Sequence, residues 1–197
     1  MPRRSLAALL ALAACSSDSD EPQAKPGASS TSAGDLDLDV FAAEVVSAQQ
    51  ERQQLPAAAR RQALRVLQRT FDATVVDPLT TGTGGDLTQL FTADAAARAT
   101  GPDRGAVFDE GFAPLDQLVG TTTSVALTGL AGDDGAPAML VAKIDWDVRD
   151  AGDAVRVRRV GELTLVPAFG TWVVGAYTLL VSRTAGGETT TTTAATP

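Results

Sequence analysis

Histidine and asparagine are absent from the 197-residue sequence, and Cys15 is its only cysteine. Zinc, haem and iron–sulfur sites therefore lack their usual ligands, and catalysis by a Ser–His or Cys–His pair is excluded. N-linked glycosylation is excluded because asparagine is its acceptor. We accordingly expect neither a bound metal nor a cofactor.

Positive charge is also scarce. The chain has 16 Lys and Arg against 24 Asp and Glu, a net charge of −8, which argues against a nucleic-acid-binding protein that must neutralise phosphates. No internal run approaches the 18 apolar residues that a membrane-spanning helix needs. The 44% hydrophobic content is nevertheless enough for a packed core. The length allows one ordinary domain with tails.

The N-terminus carries an export pattern. Arg3 and Arg4 precede a short apolar run over 6–14, which is typical of a secretory signal peptide. The run ends in Leu12-Ala13-Ala14-Cys15, which resembles the lipobox of bacterial lipoproteins. The resemblance implies that Cys15 is lipidated and becomes the first residue of the mature chain. The alternative is an ordinary cleaved signal peptide followed by an incidental cysteine.

Composition divides the remainder into three parts. Residues 15–38 are dominated by Ser, Asp, Gly and Pro and are predicted to form a disordered tether, whose twenty or so residues reach roughly 25 Å. Residues 39–183 form the predicted domain, and the Thr-rich residues 184–197 are predicted to be a disordered tail. The lipid anchor would hold the domain close to the outer face of the cytoplasmic membrane.

Hydrophobic periodicity predicts helices before strands. A weakly amphipathic pattern over 40–54 and apolar residues at three- and four-residue steps over 64–75 indicate helices. Alternating segments predict strands at about 122–130, 138–149, 154–166 and 171–183. The short connections between them favour an antiparallel meander. If Arg149 lies opposite Ala154, then Asp147 faces Arg156 and Asp145 faces Arg158.

This order of elements resembles the NTF2-like superfamily of cone-shaped α+β domains. The residues that carry the resemblance are the apolar helix ending at Phe71 and the last strand, which contains Trp172 and Tyr177. The resemblance implies an α+β fold with N-terminal helices packed on a curved, four-stranded antiparallel meander. It also implies a cup between helix and sheet, which in some relatives hosts isomerase or dehydratase chemistry and in others only ligands or partners.

One face of the predicted meander suggests a ligand site. Trp146 and Trp172 share an otherwise apolar face with Arg159. A buried guanidinium could receive an anionic or lipid-like small molecule. The favoured alternative is that a bulge turns Arg159 outward, or that it lies at the open rim with its charged end in water.

The opposite face of the predicted meander suggests an interface. It is too apolar to remain in water, because the predicted alternation places the following residues there: Val160, Val173, Tyr177, Leu179 and Val181. We expect this face to form a homodimer or to bind a partner protein of the cell envelope.

Three classes of function follow. The favoured one is a non-catalytic ligand-binding or accessory lipoprotein, and the second is an assembly module of an envelope complex. The third is an isomerase- or hydrolase-type enzyme, which would need Asp145, Asp147 or Tyr177 to point into the cup with a perturbed pKa. The charge pattern favours cross-strand ion pairs for the two aspartates.

Overall fold

A computed structural model describes residues 38–46 and 52–196, so the predicted signal peptide, Cys15 and nearly all of the predicted tether lie outside the described residues. The helices are α1 (Ala57–Phe71), α2 (Asp77–Thr81), α3 (Ala93–Thr100) and α4 (Arg104–Val107), with a π-helical segment (Asp72–Val76) between α1 and α2. The strands are β1 (Asp39–Val46), β2 (Arg52–Gln54), β3 (Leu118–Ala131), β4 (Pro137–Asp150), β5 (Val155–Ala168), β6 (Thr171–Ala185) and β7 (Glu188–Ala195).

The strands form one seven-stranded mixed sheet in the order β2-β1-β3-β4-β5-β6-β7. The predicted four-stranded meander with N-terminal helices is therefore wrong, and with it the cone-shaped NTF2-like architecture. The helices follow β2 in the chain, and β1 pairs in parallel with β3. A parallel neighbour needs a long crossover, and here that crossover holds every described helix.

The predicted helix over 40–54 is replaced by β1 and β2. Val45 and Val46 are β-branched, which suits a strand, and they pair with Gly129 and Leu130 of β3. The sequence pattern could not reveal this partner, because β3 lies about 80 residues further along the chain and the contact is therefore non-local.

Four long strands occupy the last third of the chain close to their predicted positions, and β3 to β6 are joined as an antiparallel meander. The predicted register is off by two residues, since Arg149 lies opposite Arg156 and Asp147 lies opposite Arg158. A shift of two leaves every side chain on its predicted face, because side chains alternate with a period of two.

The predicted disordered tail forms β7. Gly186 and Gly187 both adopt positive φ angles, 59° and 86°, as a two-residue turn between antiparallel strands requires. The threonines that follow pair with β6 from Thr189 opposite Thr184 to Thr193 opposite Leu180. Their β-branched side chains favour an extended backbone, which composition alone did not indicate.

The helices cover one face of the sheet. The buried side of α1 includes Leu67 and Phe71, and the Phe71 ring contacts Trp146 of β4 edge-on, with the ring centroids 5.1 Å apart. We call this side of the sheet the inner face. None of the described helices is long and apolar enough to cross a bilayer.

Candidate functional site

A β-bulge in β6 redirects half of that strand. Thr164 lies opposite Ala176 while Leu165 lies opposite Val174, so Gly175 is an extra residue on β6. An extra residue reverses the alternation of all side chains beyond it. Tyr177, Leu179 and Val181 are therefore buried, and they lie on the inner face with Arg159 and Leu163.

Because of this bulge, the prediction of an apolar outer face is wrong. Only Val160 remains there as an exposed large apolar residue of the predicted set, at 38% exposure, opposite the half-exposed Leu180. Val173 is buried. The premise of a continuous apolar outer surface therefore no longer holds.

Arg159 is buried on the inner face, contrary to the favoured expectation that it points outward. Its side chain is 1% exposed, and it forms an ion pair with the fully buried Asp109, Nη2 to Oδ2, at 2.7 Å. Arg183 of β6 approaches the other carboxylate oxygen, Nη2 to Oδ1, at 2.8 Å. We call Arg159, Asp109 and Arg183 the buried ion triad.

The π-helical segment supplies hydrogen-bond acceptors to this triad. In an α-helix the Thr74 carbonyl would accept from the backbone N–H four residues later, but Pro78 occupies that position and has none. The freed carbonyl accepts from Arg159 Nη2 and from the Asp109 backbone N–H, each at 3.4 Å. The Thr74 hydroxyl accepts from Arg159 Nη1 at 2.9 Å. Pro78, at the start of α2, thus leaves the Thr74 carbonyl available to Arg159.

Burial dominates the electrostatics of the triad. It raises the pKa of the Asp109 carboxyl above its ordinary value, and both guanidiniums oppose that rise. Burial also lowers the pKa of Arg159, which Asp109 opposes. We assign an ionised carboxylate at neutral pH, because arginine retains its proton in proteins and a neutral Asp109 would leave the buried Arg159 and the largely buried Arg183 without a counter-charge.

The predicted cup is filled. Arg159 and Trp146 border an internal cavity of only about 10 Å³, and Trp172 is buried without bordering it. That volume is far below the several hundred cubic ångströms of ordinary ligand sites. The three predicted ligand-binding residues therefore do not form a ligand site between helices and sheet.

The outer face carries ion pairs. Arg156 binds Asp147 and Arg158 binds Asp145 through two hydrogen bonds each. These are the predicted partners, although they lie diagonally across the strands instead of directly opposite. Neither aspartate faces the inner side, so neither can act as an acid or base in the predicted cup.

Tyr177 is also engaged by the protein itself. Its hydroxyl donates to Asp103 Oδ2 at 2.8 Å, and Asp103 pairs with Arg98 of α3 at 3.2 Å. Burial, and then the hydrogen bond to Asp103, raise the pKa of Tyr177 well above its ordinary value. This arrangement ties α3 to β6.

A groove of about 690 Å³ lies between α3 and the β5–β6 turn, and we call it the α3 groove. Backbone hydrogen bonds join the start of α3 to β6 beside the groove, because Thr92 N–H donates to the Val174 carbonyl at 2.9 Å and Val174 N–H donates to the Leu90 carbonyl at 2.7 Å. The residues around it are uncharged and mostly small or apolar: Thr88, Gln89, Phe91, Thr92, Ala93, Ala96, Ala168, Phe169, Thr171 and Val173.

Thr92 caps α3, its hydroxyl accepting from the Ala95 backbone N–H at 3.4 Å. The predicted interface residue Val173 lies in the wall of this groove.

Phe169 has an unusual conformation at the rim of the α3 groove. It is fully exposed and adopts a φ of 52°, followed by Gly170 at 76°. Such paired positive values define a two-residue hairpin turn that favours Asn-Gly or Asp-Gly. A bulky side chain in this left-handed conformation is strained, and exposed strain of this kind is typical of functional positions.

Comparisons with protein-family models, with characterised sequences and with solved structures found no match for this chain. Among the described residues, no three acidic or sulfur side chains lie close enough together to hold a metal ion. The α3 groove is therefore the candidate site, on its own geometry.

Sequence reasoning missed the groove and two members of the triad. Asp109 lies in a segment of turns, where nothing marks one acid as buried. An arginine on an apolar strand face does require a buried acceptor, and that signal could have prompted a search for its partner. The Phe169-Gly170 turn between two strands was visible, although the strain at Phe169 was not.

Proposed function

We propose that this protein is a lipid-anchored, extracytoplasmic binding protein whose α3 groove takes an uncharged, apolar small molecule. The observation that carries the proposal is Phe169, an exposed aromatic side chain in a strained conformation above an apolar groove. The protein acts without catalysing a reaction on its ligand.

The proposed location depends on the sequence. The apolar run over 6–14 and the Leu12-Ala13-Ala14-Cys15 box support export and acylation of Cys15. Acyl chains contribute about 0.8 kcal/mol per buried CH₂ group, so two or more chains give stable anchoring. A domain on this tether would meet apolar molecules at the surface of the membrane.

The chemistry of the groove supports an apolar ligand. Its volume of about 690 Å³ falls within the usual range of small-molecule sites, roughly 300–1,000 Å³. Phe91, Phe169 and Val173 offer apolar contacts, and the Thr and Gln side chains offer neutral hydrogen-bonding groups. A charged ligand would lose its hydration there without gaining an ion pair.

The same lining favours binding over catalysis. None of the described residues around the groove is an acid, a base or a cysteine. The side chains considered for catalysis are bound elsewhere: Asp145 and Asp147 in outer-face ion pairs, and Tyr177 to Asp103.

A fluorescence titration tests the proposal. The uncharged dye N-phenyl-1-naphthylamine, which emits more strongly in apolar surroundings, is added to the full-length chain carrying Cys15→Ser in detergent-free buffer. We expect saturable binding to one site. Ala96→Phe places a ring in the groove and should weaken binding at least tenfold.

Ala97→Phe is the matched control, since Ala97 is the exposed next residue of α3 and does not border the groove. It should bind the dye like the unsubstituted chain. Equal affinity in both variants, or no saturable binding at all, would contradict the proposed site. Anchoring is tested separately by the mass of the mature N-terminus, which should carry acyl chains on Cys15.

A further inference from the structure

The small internal cavity beneath α1 is bordered by polar groups as well as by core residues. Its volume is about 10 Å³, close to the space that one water molecule requires. Thr70 of α1, Trp146 of β4 and Arg159 of β5 all border it. Tyr177 and Leu179 of β6 border it as well, so the cavity lies where the helical layer meets three strands of the sheet.

Each of these three residues has a buried polar atom that finds no hydrogen-bond partner within the described part of the chain. The atoms are Thr70 Oγ1, Trp146 Nε1 and Arg159 Nε. Buried polar atoms in native proteins are nearly always paired, either with protein or with ordered water. All three residues line the same cavity, so one partner bound there could serve all three atoms.

The chemistry of the three atoms defines that partner. The indole Nε1–H and the guanidinium Nε–H can only donate, so the partner must accept two hydrogen bonds. The Thr70 hydroxyl can accept, so the partner should also donate one. A water molecule can accept two hydrogen bonds and donate at least one, and a buried water typically makes about three.

We propose that one structural water molecule binds in this cavity, held by Thr70, Trp146 and Arg159. It completes the hydrogen bonding of Arg159, whose other nitrogens bind Thr74 and Asp109. The water joins α1, β4 and β5 at one point and supports the buried ion triad. This site is independent of the ligand proposed for the α3 groove.

A high-resolution crystal structure of the full-length chain tests the site. We expect one peak of solvent density within hydrogen-bond distance of the three atoms, with a temperature factor like that of the surrounding core. An empty cavity would overturn the proposal. So would anomalous density after a bromide soak, because it would identify a halide site.

Two threonine variants separate the site from a general effect of substitution. Thr70→Val keeps the shape of the side chain but removes the hydroxyl, and the water peak should be lost. Thr80→Val is the control, since the Thr80 hydroxyl bonds to the Val76 carbonyl at 2.8 Å, away from the cavity. A peak that persists at full height in Thr70→Val would overturn the three-point site.

A solution measurement on the unsubstituted chain does not require either threonine variant to fold. The chain has only two tryptophans, and Trp172→Phe assigns their indole N–H resonances. The Trp146 resonance should show a nuclear Overhauser effect to water with the sign of a long-lived, bound molecule. Its absence in the unsubstituted full-length chain would overturn the proposal.

Discussion

Replacing Asp109 with asparagine should destabilise the domain more than any comparable change on its surface. Asn keeps the size of the side chain but removes the negative charge between Arg159 and Arg183. Arg159 is buried and Arg183 is largely buried, with side chains at 1% and 11% exposure, so water cannot compensate either cation well. Thr74 holds two parts of the triad in place, because its hydroxyl accepts from Arg159 Nη1 and its carbonyl accepts from the Asp109 backbone N–H.

The expected cost follows from the burial of the triad. Removing one partner of a buried ion pair costs about 3–5 kcal/mol, because an uncompensated charge remains in the core. Domains of this size are stable by about 5–15 kcal/mol. Asp109→Asn should therefore remove a large share of the free energy of unfolding, measured by urea denaturation at neutral pH and low salt.

Asp145→Asn is the matched control. It removes the same charge from the outer-face pair with Arg158, whose two side chains are 54% and 32% exposed, and an exposed pair contributes about 0–1 kcal/mol. A loss below about 1 kcal/mol for Asp109→Asn, or equal losses for the two variants, would refute the assignment of an ionised, structurally essential triad.

Two further predictions concern the buried hydroxyl of Tyr177 and the strained turn at Phe169. Unfolding should become easier above about pH 10, because burial and Asp103 raise the pKa of Tyr177 above its ordinary 10.0 and only the unfolded chain loses this proton there. In an alkaline absorbance titration the sole tyrosine should therefore ionise together with unfolding, and Tyr177→Phe should reduce the pH dependence of the free energy of unfolding. Ionisation of the folded chain near pH 10 would contradict this account. Phe169→Asn should raise the free energy of unfolding by about 0.5–1 kcal/mol, since Asn tolerates the left-handed conformation. The same variant should bind the dye more weakly. A loss of stability would show that Phe169 is not strained.

Alternation predicted the central strands well. Val157, Leu163 and Leu165 lie on the inner face together with Trp146, because a two-residue error in register does not change the face of any side chain. The ion pairs of Asp145 and Asp147 were predicted for the same reason. Local patterns carry this information, since neighbouring strands follow one another directly in the chain.

Non-local features were not predictable in this way. The parallel pairing of β1 with β3 depends on residues far apart in the sequence. The bulge at Gly175 depends on how β6 meets both β5 and the Leu90–Thr92 segment, and it alone moves Tyr177 from one face to the other. The buried position of Asp109 depends on residues from distant parts of the sequence, since its contacts include Thr74, Arg159 and Arg183.

Native mass spectrometry tests the proposed function most directly. The full-length protein is extracted gently from its own membranes, beside Ala96→Phe and the control Ala97→Phe. We predict that the unsubstituted protein and Ala97→Phe carry an uncharged, apolar molecule that denaturation releases, and that Ala96→Phe lacks it. The same molecule in all three proteins, or a bound molecule in none, would contradict an apolar-ligand site in the α3 groove.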